Sequence, residues 1–224
     1  VQPQNPSWPE RDRLIISKGH GAPAVYGALI ERGFIPEKWV GEYETLGANL
    51  STHPNMHSIP GIDISAGSLG HGLSIGVGMA LAARMDKRDY NTFVILGDGE
   101  LNEGSIWEAT MAANKYKLGN LIAIVDRNGL CVGGTTENVM PLNPLADKWT
   151  AFGWRVLSMN GHDFGQIMAG LNESISGQRL QPTVIIADTI KGCGISFMAG
   201  KREWHGHSIN EQEYMQAMRE LGGE

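Results

Sequence analysis

Thr92-Phe93-Val94-Ile95-Leu96 runs into Gly97-Asp98-Gly99, and Leu121-Ile122-Ala123-Ile124-Val125 runs into Asp126-Arg127-Asn128-Gly129-Leu130. Each apolar half is short, unbroken and rich in β-branched residues, the pattern of a strand buried in a parallel sheet. Each polar half starts where such a strand would end. Between them Ser105–Tyr116 has a helical pattern, so the pair reads as a strand–helix–strand crossover. Thr183–Ala187 repeats the strand pattern, and Trp154–Met159 offers a fourth strand. Pro144–Phe152 and Phe164–Ser176 read as the helices among them. This alternation implies an α/β fold: a doubly wound, mostly parallel sheet with helices on both faces.

Val1–Glu10 is polar and proline-containing and reads as an arm. A helix is expected over Ala22–Arg32, with Pro23 in its first turn and Gly33 at its end. A short helix over Glu37–Leu46 and a long loop to about Ser65 follow, punctuated by Pro54 and Pro60. Gly70 to Arg84 reads as a buried helix whose Gly72, Ser74, Gly76, Gly78, Ala80, Ala82 and Ala83 let neighbours approach its axis. Asn210–Leu221 fits a last amphipathic helix. With no repeat and no linker, residues 1–224 are expected to form a single domain.

A formal charge of −6, from 18 Lys plus Arg against 24 Asp plus Glu, and the lack of any basic run argue against nucleic acid or an anionic membrane as partner. No signal peptide and no membrane-spanning apolar stretch is visible. Cys131 and Cys193 form neither a metal-spaced cluster nor a disulfide framework, which fits a reducing, cytoplasmic setting.

In open α/β sheets ligands bind beyond the carboxyl ends of the strands. Asp98 and Asn128, 30 positions apart, fall at two such ends. A carboxylate, an amide oxygen and a nearby backbone carbonyl make an oxygen-only set that suits Mg²⁺, with phosphate oxygens and water completing its shell. By itself Gly97-Asp98-Gly99 is more often a strand-ending turn than a metal site. The pairing with Asn128 favours the site. A histidine taken singly is usually solvated or hydrogen-bonded with no catalytic task, and His57, His71, His162 and His207 are read that way.

The stretch Gly97-Asp98-Gly99-Glu100-Leu101-Asn102-Glu103-Gly104-Ser105, with Asn128 downstream, resembles the thiamine-diphosphate motif of the transketolase family. The resemblance implies that Asp98, Asn128 and the Leu130 carbonyl hold Mg²⁺, that Gly99 touches the diphosphate, and that Glu103 supports a proton relay to the cofactor's pyrimidine. Ser17-Lys18-Gly19-His20 resembles the family segment whose lysine and histidine reach cofactor and substrate. Thr52-His53-Pro54 is similar to a segment whose histidine faces the reacting carbons. Gly67-Ser68-Leu69-Gly70-His71-Gly72 resembles one whose first three residues cradle the cofactor. Lys191-Gly192 and Trp204-His205-Gly206 resemble a pair that supplies a lysine and a histidine to the cofactor. The implied catalytic set is His20, His53, Glu103 and His205. Lys18, Gly67, Ser68, Leu69, Gly99, Val132 and Lys191 join it around the cofactor, and Lys18 and Lys191 offset phosphate charge. Trp107 and Trp204 read as packing residues that brace the site.

Three departures from the family pattern stand out. The family begins earlier, with a Ser-Gly-His-Pro-type segment. It often continues Asn-Gly-Leu with Gln-Ile-Asp-Gly, where this chain has Cys131-Val132-Gly133-Gly134. His71 stands where glutamine is usual. Full-length members continue into a pyrimidine-binding and a C-terminal domain, both expected to be absent here. The resemblance therefore implies the N-terminal subunit of a split transketolase. A separately encoded C-terminal subunit would partner it in a dimer or heterotetramer acting on sugar phosphates. The alternatives are a 1-deoxyxylulose-5-phosphate synthase-like enzyme, a 2-oxoacid dehydrogenase E1-like enzyme and a non-catalytic regulatory subunit. A nicotinamide dehydrogenase fits poorly, since no glycine stands three residues beyond Gly70-His71-Gly72.

Overall fold

The computed structural model describes residues 2–176 and 180–222; Val1 and Glu224, which bound the expected arm and domain, lie outside the described residues. Five strands form one sheet: β1 (Arg13–Ile16), β2 (Thr92–Gly97), β3 (Leu121–Arg127), β6 (Arg155–Asn160) and β7 (Thr183–Asp188). Their order is β1-β2-β3-β7-β6 and every pairing is parallel. The expected doubly wound sheet is thus present. β1 is an addition to the expected strands. It has only four residues and Leu14 is exposed, so it carries no run long enough to read. Two further strands, β4 (Leu130–Cys131) and β5 (Gly134–Thr135), make a small antiparallel hairpin just beyond β3.

The helices are α1 (Ala22–Glu31), α2 (His71–Met85), α3 (Gly104–Lys115), α4 (Thr136–Val139), α5 (Leu145–Ala151), α6 (Phe164–Ile175) and α7 (Glu211–Glu220). The helix expected over Glu37–Leu46 is instead a 3₁₀ turn at Glu37–Glu42 with no buried residue. Of its residues Trp39 alone, half-buried, packs on an apolar cluster, so a regular helix gains little burial. Asn210 caps α7 in a reciprocal capping box with Glu213.

One sheet face carries α2, α3 and α5. Leu73, Val77, Ile106, Ala113 and Trp149 pack there on Val94, Leu96, Leu121 and Val125. Leu73, Ile106 and Trp149 are fully buried, and burying each of the two aliphatic chains stabilises the fold by about 1.5–3 kcal/mol. The small residues of α2 make this close seat possible. A Cβ on Gly72 would lie 2.4 Å from the Ser17 side chain, and one on Gly76 would lie 2.6 Å from Val94. On the other face α6 packs Ile167 and Leu171 near Met159, Ile122 and Ile185. Helix α1 builds a separate cluster through Ala22 and Tyr26 with Ile35, Leu50 and Ile59, and Tyr26 donates to the Ser51 carbonyl at 2.8 Å. That cluster anchors the long loop that carries His53. Asp63, on the same loop, pairs with Arg11 and accepts from the Leu14 N–H at 2.8 Å, covering the β1 edge. Among the described residues no helix is long and apolar enough to cross a membrane.

Candidate active site

Because the sheet is parallel, the segments after β1, β2, β3 and β7 all emerge at one edge. Gly97 pairs with Asp126, and Asp126 with Ala187. Asp98 and Asn128 therefore leave neighbouring strands side by side.

Asp98 is 1 % exposed. Its Oδ1 accepts from Gly99 N–H at 2.8 Å, and its Oδ2 accepts from Gly129 N–H at 2.6 Å and from Arg127 at 3.2 Å. Burial pushes its carboxyl above the ordinary range, opposed by those two N–H groups and the guanidinium. Arg127 also donates to Thr136 and Glu137, fastening the start of α4 to the strand ends. Asn128 turns its Oδ1 to the Leu130 N–H at 3.0 Å and its Nδ2 to Asp126 at 3.3 Å. A carboxylate offers about four lone-pair directions, and three on Asp98 are taken, leaving one on Oδ1. One carboxylate, one amide oxygen and a hairpin carbonyl are hard donors that suit Mg²⁺. No group of three His, Cys, Asp or Glu gathers as a metal cluster among the described residues, so a metal here would rest on that mixed set.

Asp126 is a second hub. Its carboxylate pairs with Lys18 and accepts from Thr189 and Asn128. Burial raises its carboxyl, but the Lys18 charge and these hydrogen bonds outweigh burial and hold it below the ordinary range. Lys18, expected to offset phosphate charge, is thus already ion-paired at the floor of the site.

Three expected histidines converge from segments far apart in sequence. His20 Nδ1 lies 3.2 Å from His205 Nε2, and the His20 and His53 rings are 5.3 Å apart. Gly19 permits this, since a Cβ there would lie 2.7 Å from His53 and 3.1 Å from Gly67. Burial, then the positive charges of Lys191 and His20, hold His205 below the ordinary histidine value. Its Nδ1 is buried and has no hydrogen-bond partner among the described residues. A buried nitrogen left in this way suits a ligand atom.

Gly70 ends the Gly67-Ser68-Leu69 segment with φ of 84°, a left-handed conformation that glycine adopts without strain. A Cβ there would also strike Glu103 and Ser105 at 2.7 Å. Glu103 is exposed at the start of α3. Leu69 and Val132 are 41 % and 69 % exposed, so apolar surface is open beside the acids. Gly99 lies under Cys131, whose Cβ would be 2.9 Å from an added methyl. Trp107 braces the loop after Asp98 by donating to the Leu101 carbonyl at 2.8 Å, and Trp204 packs on Phe197 and His207. His162 accepts from the Ile190 N–H at 2.8 Å, a structural role consistent with its exclusion from the site.

Sequence reasoning assigns no role to Ser17, Glu100 or Arg127, nor to Asp126 beyond its place at a strand end. All four act through hydrogen bonds to distant loops, for which local sequence holds no signal.

Comparison with known proteins places the chain and its fold in a family. The chain is 48 % identical over 221 residues to a subunit of the apulose-4-phosphate transketolase of Phocaeicola vulgatus, covering 99 % of this chain and 78 % of that one. It is 44 % identical over 221 residues to the 6-deoxy-6-sulfo-D-fructose transketolase subunit SqwG of a Clostridium species, covering 99 % and 80 %. The crystal structure of transketolase from Campylobacter jejuni overlays with a TM-score of 0.93 at 30 % identity. That match covers all of this chain but 36 % of the other, so the chain spans about a third of that protein's length. The family model described as transketolase, thiamine diphosphate binding domain, matches residues 1–224, and with it the strand-end acids and converging histidines find their setting: the chain belongs to the transketolase family.

Proposed function

We propose that this chain is the diphosphate-binding subunit of a split transketolase. With a separately encoded chain that carries the pyrimidine-binding and C-terminal domains, it transfers a two-carbon ketol unit from a ketose phosphate to an aldose acceptor. Residues 1–224 act as one diphosphate-binding domain, and the site is completed at the junction of the two chains in a dimer or heterotetramer. The observation that carries the reading is twofold: Asp98 and Asn128 leave neighbouring strand ends, and the segment after β1, tied to β3 through Lys18 and Asp126, brings His20 against His53 and His205. The subunit designations of the two relatives support a divided enzyme, and their sugars support an anionic ketose. The free Cys131 and Cys193 agree with a reducing cytoplasm.

When bound, thiamine diphosphate supplies the electron sink for a two-carbon carbanion. The chain's residues bind, orient and handle protons. Asp98, Asn128 and the Leu130 carbonyl hold Mg²⁺, while the Gly99 backbone and Lys191 meet the diphosphate. Gly67, Ser68 and Leu69 form one wall and Val132 the other. Lys18 is kept in place by Asp126. A neutral His205 that accepts at Nε2 from His20 carries its proton on Nδ1, the buried atom without a partner, and can donate it to a phosphate oxygen. His20 and His53 face the reacting carbons, where an imidazole can take or give a proton. Glu103, exposed at the start of α3, faces the second chain and supports the relay to the pyrimidine.

The test is product analysis with ketose phosphate plus aldose, and separately with pyruvate, for this chain alone and with its partner. Two-carbon transfer only from the ketose, and only with both chains, is expected. Full transfer by this chain alone, or turnover of pyruvate instead, would overturn the proposal.

A further inference from the structure

Glu100 is 2 % exposed and takes no part in the chemistry proposed for the site. Its Oε1 accepts from the Gly70 N–H at 2.9 Å and from the Ser17 hydroxyl, and its Oε2 accepts from the Gly97 N–H at 3.0 Å. The Ser17 hydroxyl accepts in turn from the Gly72 N–H at 3.1 Å, so its single proton is left for Glu100. All these partners are neutral donors. Each belongs to a different part of the site: Ser17 precedes Lys18-Gly19-His20, Gly70 closes the Gly67-Ser68-Leu69 wall, and Gly97 precedes Asp98. One buried carboxylate therefore ties the ends of β1 and β2 to the first turn of α2.

We propose that Glu100 is a positioning residue, which through Ser17, Gly70 and Gly97 sets His20, the cofactor wall and Asp98 in mutual register. The inference rests on the reading that this edge takes thiamine diphosphate with Mg²⁺. Its physical core is the count of acceptors. Two carboxylate oxygens serve three donors, whereas a glutamine has one oxygen and an NH₂ group. Whichever way that amide turns, its NH₂ meets either the Gly97 N–H or the Gly70 N–H, donor against donor. The loops must then part, and the groups they carry move with them.

The experiment compares the unchanged protein, purified with whatever chain accompanies it, with Glu100→Gln, the milder Ser17→Ala, and Val184→Ala. Val184 is fully buried near the start of β7 and remote from the carboxyl ends of the strands, so it reports a plain loss of packing. Thermal midpoints without cofactor and calorimetric affinity for thiamine diphosphate with Mg²⁺ are measured for each. Amide exchange at Gly70 and Gly97 is followed as well. Val184→Ala is expected to lower the midpoint and leave affinity unchanged. Glu100→Gln is expected to weaken affinity about tenfold or more and to speed exchange at both glycines, with Ser17→Ala weakening affinity by a smaller factor. If Glu100→Gln does not fold, the Ser17→Ala result decides. Variants that lose midpoint as Val184→Ala does, yet bind as the unchanged protein does, would overturn the inference alone. No binding by the unchanged protein would remove the reading of the site, and this inference with it.

Discussion

Arg127 and Asp98 form a nearly closed pair, with side chains 12 % and 1 % exposed. Truncating one member of such a pair leaves the other charge buried and costs about 3–5 kcal/mol. Arg127→Met should therefore lower the urea-unfolding free energy by about 3 kcal/mol or more. Because a divalent ion at Asp98 would replace the missing positive charge, Mg²⁺ should stabilise the variant more than the parent. Equal Mg²⁺ responses would argue against a metal beside Asp98. His205 offers a second check. Burial and its cationic neighbours hold it below its ordinary value of 6.5, so the unfolded chain takes up its proton first as pH falls. Its contribution to stability is therefore complete above about 6.5 and declines as pH falls from there through the lower folded value. In an NMR titration its ring signals, assigned with His205→Gln, should move at lower pH than those of an exposed histidine. Of the site residues, those beside apolar runs are legible in the sequence, because strand ends mark where ligands bind. Glu100 and Ser17, 83 positions apart, are not, since a buried hydrogen bond between them leaves no periodic trace.

Helix α2 shows what the small residues achieve. Gly72→Ala would drive a methyl into the Ser17 side chain at 2.4 Å, and Gly76→Ala would drive one into Val94 at 2.6 Å. Each should cost about 1–3 kcal/mol in chemical unfolding. Gly78 faces open space, so Gly78→Ala should be neutral or stabilise by up to about 1 kcal/mol. A loss at Gly78 equal to that at Gly72 would contradict this account of the seat. At this scale β2, β3 and β7 are readable because each is an unbroken apolar run of strand length. The two-residue strands β4 and β5 and the four-residue β1 are not, because pairing, not composition, makes them strands. Glu37–Leu46 misleads because only its Trp39 and Tyr43 meet a core, both half-buried, too little to hold a regular helix.

Across the whole molecule, a parallel sheet brings five strand ends to one edge, and hydrogen bonds accepted by Asp98, Glu100 and Asp126 fasten the segments that leave it. The apolar side of the sheet supplies rigidity and the edge supplies chemistry. The proposed division of labour is that this chain anchors diphosphate and metal while a second chain completes the pyrimidine and sugar subsites. The most direct test is calorimetric titration of thiamine diphosphate with Mg²⁺ into the unchanged protein and into Asp98→Asn. The expected result is metal-dependent binding that falls by about tenfold or more in the variant, as the strand-end carboxylate is lost. Equal binding by both proteins, or binding indifferent to Mg²⁺, would contradict the assignment of this edge.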